Sequence, residues 1–134
     1  MNLLRILHRC RYALLSLLVL LWAGAFTLTH LPPPAVPNFH AGDKTLHLVG
    51  YAGLASAFGV TMLAFGVERR RRLMLLFAIM LTYGAVDELT QPWFGRTADI
   101  VDWLHNAAGV VIAAGVVEGV AWMVGKRQPV TRDK

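Results

Sequence analysis

The sequence predicts an all-α integral membrane protein of four transmembrane helices, with the N- and C-termini cytoplasmic. Three observations predict it. The 134-residue chain is 56% apolar and only 16% charged, whereas soluble domains carry about 25% charged residues. Its apolar residues gather into four long runs, with no repeat or low-complexity tract between them. The basic residues also segregate by side. With the N-terminus inside, Arg5, Arg9, Arg11, Arg69 to Arg72, Lys126, Arg127, Arg132 and Lys134 fall inward, 11 of 13, and only Lys44 and Arg96 fall outward. That asymmetry is what the positive-inside rule requires. It assigns the net charge of +5 to topology and anionic inner-leaflet lipid, not to nucleic acid.

The first helix is expected at about 12–29, a charge-free run long enough to cross a hydrocarbon core of about 30 Å. Ala23-Gly24-Ala25 resembles a signal-cleavage site, but Phe26 and Leu28 carry the run past it, so the segment is expected to be retained. Pro32-Pro33-Pro34 ends it, and His30 and His40 are placed in the proline-rich loop. The second helix is expected at about 48–67, closed by Glu68 and the four arginines. The third, about 73–90, has only 14 apolar residues before Asp87-Glu88, or roughly 21 Å of helix, so the two acids are expected to dip into the membrane. The fourth, about 101–125, contains Asp102, Asn106 and Glu118. A single domain, 1–134, accommodates all four.

On this topology the polar residues collect at one level. Asp43, Lys44, His47, Asp87, Glu88, Gln91, Arg96, Asp99, Asp102, His105 and Asn106 all fall at the outer ends of helices two, three and four. A carboxylate at membrane depth costs about 2.5–3.5 kcal/mol on insertion scales, so such a group needs partners or a purpose. Asp43, His47 and Tyr51 are spaced to share one helix face; Asp99, Asp102, Asn106 and Gly109 form a second stripe. Asp43 and Asp99 also suit helix N-caps. Glu118 fits a partner for an inner arginine and stays outside the site.

Asp43-Lys44-x-x-His47-x-x-x-Tyr51, Asp87-Glu88-x-x-Gln91 and Arg96-x-x-Asp99-x-x-Asp102-x-x-x-Asn106-x-x-Gly109 together resemble the pattern of the VanZ-like family, over about 40–115. The resemblance implies a small multi-spanning protein of the bacterial cytoplasmic membrane, in a family whose named member is linked to teicoplanin resistance. It implies no particular reaction.

The residues narrow the chemistry. The only serines, Ser16 and Ser56, lie inside apolar helices, and Cys10 is on the far side, so nucleophilic catalysis at the outer cluster lacks its nucleophile. No phosphate-cradling glycine motif and no recognisable zinc motif is present, and no metal or other cofactor is assigned. Three readings remain. In the first, a binding or accessory module engages an envelope or lipid-linked component and alters glycopeptide susceptibility. In the second, a membrane enzyme acts on a lipid head group, with Asp87, Glu88 and His47 as acid and base or sharing a divalent cation. In the third, a small permease relays protons. Arg96 and Lys44 are expected to hold a phosphate or carboxylate, with Asp43, Gln91, Asp99, Asp102, Asn106 and Tyr51 completing the site. The bilayer is the expected partner, and the oligomeric state stays open.

Overall fold

The computed structural model describes residues 3–32 and 42–126, and every element among them is helical. A short helix α1 (Leu3–Arg9) precedes α2 (Arg11–His30), α3 (Asp43–Ala64), α4 (Arg69–Thr90) and α5 (Ile100–Lys126), with a 3₁₀ turn at Gln91–Phe94. Helices α2 to α5 are each long and apolar enough to cross a membrane. The second and third spans begin earlier than their apolar runs. Asp43 to His47 and Arg69 to Arg72 are helical as well, so the short third run is carried on a helix of 22 residues.

The connections follow from local chemistry. At the end of α3, Gly66 takes φ +73°. The Gly66 and Val67 amides donate back to the Leu63 and Met62 carbonyls at 3.0 Å each, the Schellman arrangement that a left-handed glycine permits. Glu68 then caps α4 by accepting from the Arg70 amide at 3.1 Å. Asp99 caps α5, its Oδ1 accepting from the Val101 amide at 2.8 Å; that bond and Lys44 hold its carboxyl below the ordinary carboxylate range. The cap of α3 is Gly42, so Asp43 lies inside the first turn and leaves its carboxylate for other contacts.

The core is formed by Tyr51, Leu54, Ala55 and Met62 of α3, Leu76 and Met80 of α4, and Val110, Ala113 and Ala114 of α5. Helix α2 contributes little, with only Leu18 and His30 buried. Its exposed leucines are what a lipid-facing helix presents. Trp22 joins the bundle, with ring centroids 5.0 Å from Tyr83 and 5.9 Å from Phe58.

Helices α3 and α5 make the closest approach. A Cβ on Gly109 would collide with the Leu48 carbonyl oxygen and stand 2.9 Å from the Ala52 nitrogen. Small residues permit such backbone contact in membranes, where dispersion drives helix association. One consequence is that His47, beside Leu48, is brought against the Asp102–Asn106 stripe of α5.

At the opposite end α4 and α5 are joined by charge. Arg72 Nε donates to Glu118 Oε1 at 2.7 Å and Nη2 to Oε2 at 2.8 Å, with both side chains nearly buried. Arg69 adds a contact at 3.2 Å. Glu118→Ala is expected to lower stability by about 3–5 kcal/mol, the cost of orphaning a buried charge. Arg72→Met combined with Glu118→Leu should recover most of the loss in a denaturation series in detergent.

Candidate functional site

Four chain segments meet at one end of the bundle: the last turn of α2, the first turns of α3, the last turn of α4 with its 3₁₀ extension, and the first turns of α5. Neighbouring carboxylates on α4 point to different networks there.

Asp87, 1% exposed, turns towards α2 and α3. Its Oδ1 accepts from the Thr29 hydroxyl at 2.7 Å and its Oδ2 from the Tyr51 hydroxyl at 3.2 Å. His30 Nδ1 lies 3.6 Å away; its Nε2 is 2.7 Å from the Thr90 hydroxyl. The expectation that His30 belongs to the loop is therefore corrected. Proline first appears at position 32, so α2 continues through Thr29 and His30 and delivers both to the Asp87 carboxylate. His40 lies outside the described residues. Nothing in the spacing of the motifs pointed to Thr29, His30 or Thr90; the buried carboxylate's need for donors is the only signal that could have found them.

Glu88 turns the other way, towards α3 and α5. Its Oε1 is 3.6 Å from His47 Nδ1 and 3.5 Å from Asn106 Nδ2, while Oε2 accepts weakly from the Asp99 amide at 3.4 Å. His47 Nδ1 donates to Asn106 Oδ1 at 3.0 Å. The amide orientation follows from the network, because its NH₂ must face the Glu88 carboxylate and its oxygen the imidazole N–H. That bond fixes His47 with its proton on Nδ1. Nε2 faces Asp43 Oδ1 at 4.0 Å and Asp102 Oδ2 at 3.8 Å.

Two cations sit on the rim. Lys44 Nζ is 3.4 Å from Asp99 Oδ2 and 3.5 Å from Asp102 Oδ1. Arg96 Nη2 is 3.4 Å from Asp43 Oδ1, the one ion pair it makes among the described residues. Gln91 is buried, yet its side-chain nitrogen makes no hydrogen bond there. Among the described residues, His105 bonds to the Val101 carbonyl of its own helix. The structure thus gathers Asp43, Lys44, His47, Glu88, Arg96, Asp99, Asp102 and Asn106 in one cluster, with Tyr51 and Asp87 in an adjoining one.

A partly open cleft of about 300 Å³ runs between α2 and α3 beside these networks. Ala25, Leu28, Leu46, Val49 and Leu54 supply apolar wall; Thr29, Asp43, His47, Tyr51 and Arg96 supply the polar groups. From Asp43 to Leu54 it extends about 16 Å along α3. Asp87 and Glu88 stand behind this lining and hold it: Asp87 binds Thr29 and Tyr51, and Glu88 backs His47.

A family model described as VanZ/LLP1 matches residues 12–122. No curated protein and no solved structure matches the chain.

Proposed function

We propose, for a chain that belongs to the VanZ/LLP1 family and is a multi-pass membrane protein, that the polar end binds the anionic head group of an envelope or lipid-linked component at the outer face of the bacterial cytoplasmic membrane. Through that binding it alters access of glycopeptides such as teicoplanin to their target. The cleft carries this reading. Its apolar wall suits an acyl or prenyl chain along α2 and α3, and Arg96 at its polar end offers a guanidinium with a single weak partner. Arginine recognises phosphate and carboxylate with a planar, two-pronged fork. Asp43, Lys44, Gln91, Asp99, Asp102, Asn106 and Tyr51 shape the head-group end, while His47 is the acid-base group on the cleft wall and Asp87 and Glu88 act on a bound ligand through Tyr51 and His47.

Purified protein incubated with an envelope-lipid extract and analysed by native mass spectrometry should retain an anionic lipid species, and Arg96→Ala should not. Retention of neutral and anionic lipids alike would remove the reading. Sidedness has its own test. Reporter fusions after residues 38, 70, 95 and 130 should read out, in, out and in. An inward reading at 95 would move the whole cluster to the cytoplasmic side.

A further inference from the structure

We infer that Asp43, His47 and Asp102 form a binding site for a divalent transition-metal ion of the Mn²⁺ or Zn²⁺ type. One potential ligand atom from each lies within 4.8 Å of the others. First-turn acids are expected wherever a helix dipole favours them, and that alone explains Asp43 and Asp102. It does not explain the imidazole. With its Nδ1 proton held by Asn106 Oδ1 at 3.0 Å, His47 directs its Nε2 lone pair at two carboxylates. Their oxygens, at 3.8 and 4.0 Å, are too far for hydrogen bonds.

The second observation is Asp102 itself. Its side chain is 8% exposed, and its buried Oδ1 makes no hydrogen bond; Lys44 Nζ approaches only to 3.5 Å. Arg96 and Lys44 reach the two carboxylates only at 3.4 and 3.5 Å, so these acceptors are weakly satisfied, and a cation among Asp43, His47 and Asp102 would serve all three. Ligands at about 2.1 Å across a tetrahedral angle stand roughly 3.4 Å apart, so the histidine need close on each carboxylate by only about half an ångström, while the exposed Asp43 carboxylate turns towards Asp102.

The surroundings match those of a metal ligand. Metal-bound histidines commonly donate their second N–H to an oxygen acceptor that sets the tautomer and ring angle, and Asn106, backed by Glu88, supplies it. The imidazole favours Mn²⁺ or Zn²⁺ over Mg²⁺ or Ca²⁺, which prefer all-oxygen sets. Four carboxylates (Asp43, Glu88, Asp99, Asp102) outnumber Lys44 and Arg96 by two, leaving the cluster able to hold a double charge. Asp43 is 58% exposed at its side chain, so an ion has a path in. The Leu48–Gly109 contact holds α3 and α5 at the separation that the three ligands need.

The full chain in maltoside micelles, free of phospholipid phosphate, should bind Mn²⁺ saturably at one ion per chain by electron paramagnetic resonance, with Zn²⁺ displacing it. Asp43→Asn and Asp102→Asn should each weaken binding at least tenfold. Asn106→Leu should weaken it about 10- to 100-fold through the lost histidine bond, and Glu68→Gln, at the far end, should not change it. Asp43 is largely exposed, so its variant stays informative even where a buried substitution impairs folding, which metal-free melting reports. Saturable binding that survives both aspartate substitutions would overturn the assignment. So would a lack of binding to the intact chain. Lipid retention without metal binding would sink this inference and leave the proposed function standing.

Discussion

Asp87→Ala is expected to release α2 from the bundle at the cleft end. The substitution removes the acceptor for the Thr29 and Tyr51 hydroxyls and the neighbour of His30. Thr29 can fall back on the Ala25 or Phe26 carbonyl at 3.1 Å, but Tyr51 is left without an acceptor, and an orphaned buried donor costs about 1–3 kcal/mol. Helix α2 then rests on Leu18, on Trp22 against Tyr83, and on the His30–Thr90 contact. A disulfide or cross-link reporter between α2 and α3 should show the ends separating while the Arg72–Glu118 end stays closed. Asp87→Asn keeps the shape and should fold and accumulate in the membrane. One hydroxyl would then face an amide N–H instead of a carboxylate oxygen, displacing Thr29 or Tyr51 from the cleft wall. Activity in a complementation assay is expected to be lost, and Glu88→Gln should have the same effect through His47 and Asn106. Full activity in both neutral variants would reassign the two acids to solvation of the helix end.

Arg96→Lys is expected to lower head-group affinity about 10- to 100-fold, equivalent to roughly 1.5–3 kcal/mol. Lysine keeps the charge and can still neutralise Asp43 across 3.4 Å. It cannot reproduce the guanidinium fork. The comparison therefore separates recognition from charge balance. If Arg96 only offsets the acids around it, Lys and wild type should rescue equally and Ala alone should fail. If it grips a phosphate or carboxylate, Lys and Ala should both fall well below wild type at matched expression.

The four spans were legible because lipid demands long apolar runs. Gly109 and Glu118 were legible for related reasons: a small residue on a polar stripe invites close packing, and an acid at membrane depth needs a cation. The Asp99 cap was readable from local chemistry, whereas Asp43 proved to lie one residue past its cap, Gly42. What the sequence hid is long-range. Asp87 and Glu88 are adjacent, yet the helix sends them to different neighbours, one to α2 and one to α5. Periodicity assigns each residue to a face without saying which helix the face meets. Thr29 and His30 were hidden by the prolines after them, since the end of α2 is set by packing against Asp87 and Thr90 as well as by the breaker. The pinch between His47 and Asp102 depends on how far α3 and α5 approach, which no single-helix pattern encodes.

The claim that the cleft holds an anionic lipid is tested most directly by photo-cross-linking in living cells. A photoreactive residue at Leu46 or Val49, on the cleft wall, should capture a phosphate- or carboxylate-bearing lipid identifiable by mass spectrometry. The same residue at Ile112, on the exposed face of α5, should capture only bulk membrane lipid. Capture at Leu46 or Val49 should fall when Arg96→Ala is introduced. An identical lipid profile at all three positions, unchanged by Arg96→Ala, would contradict the account.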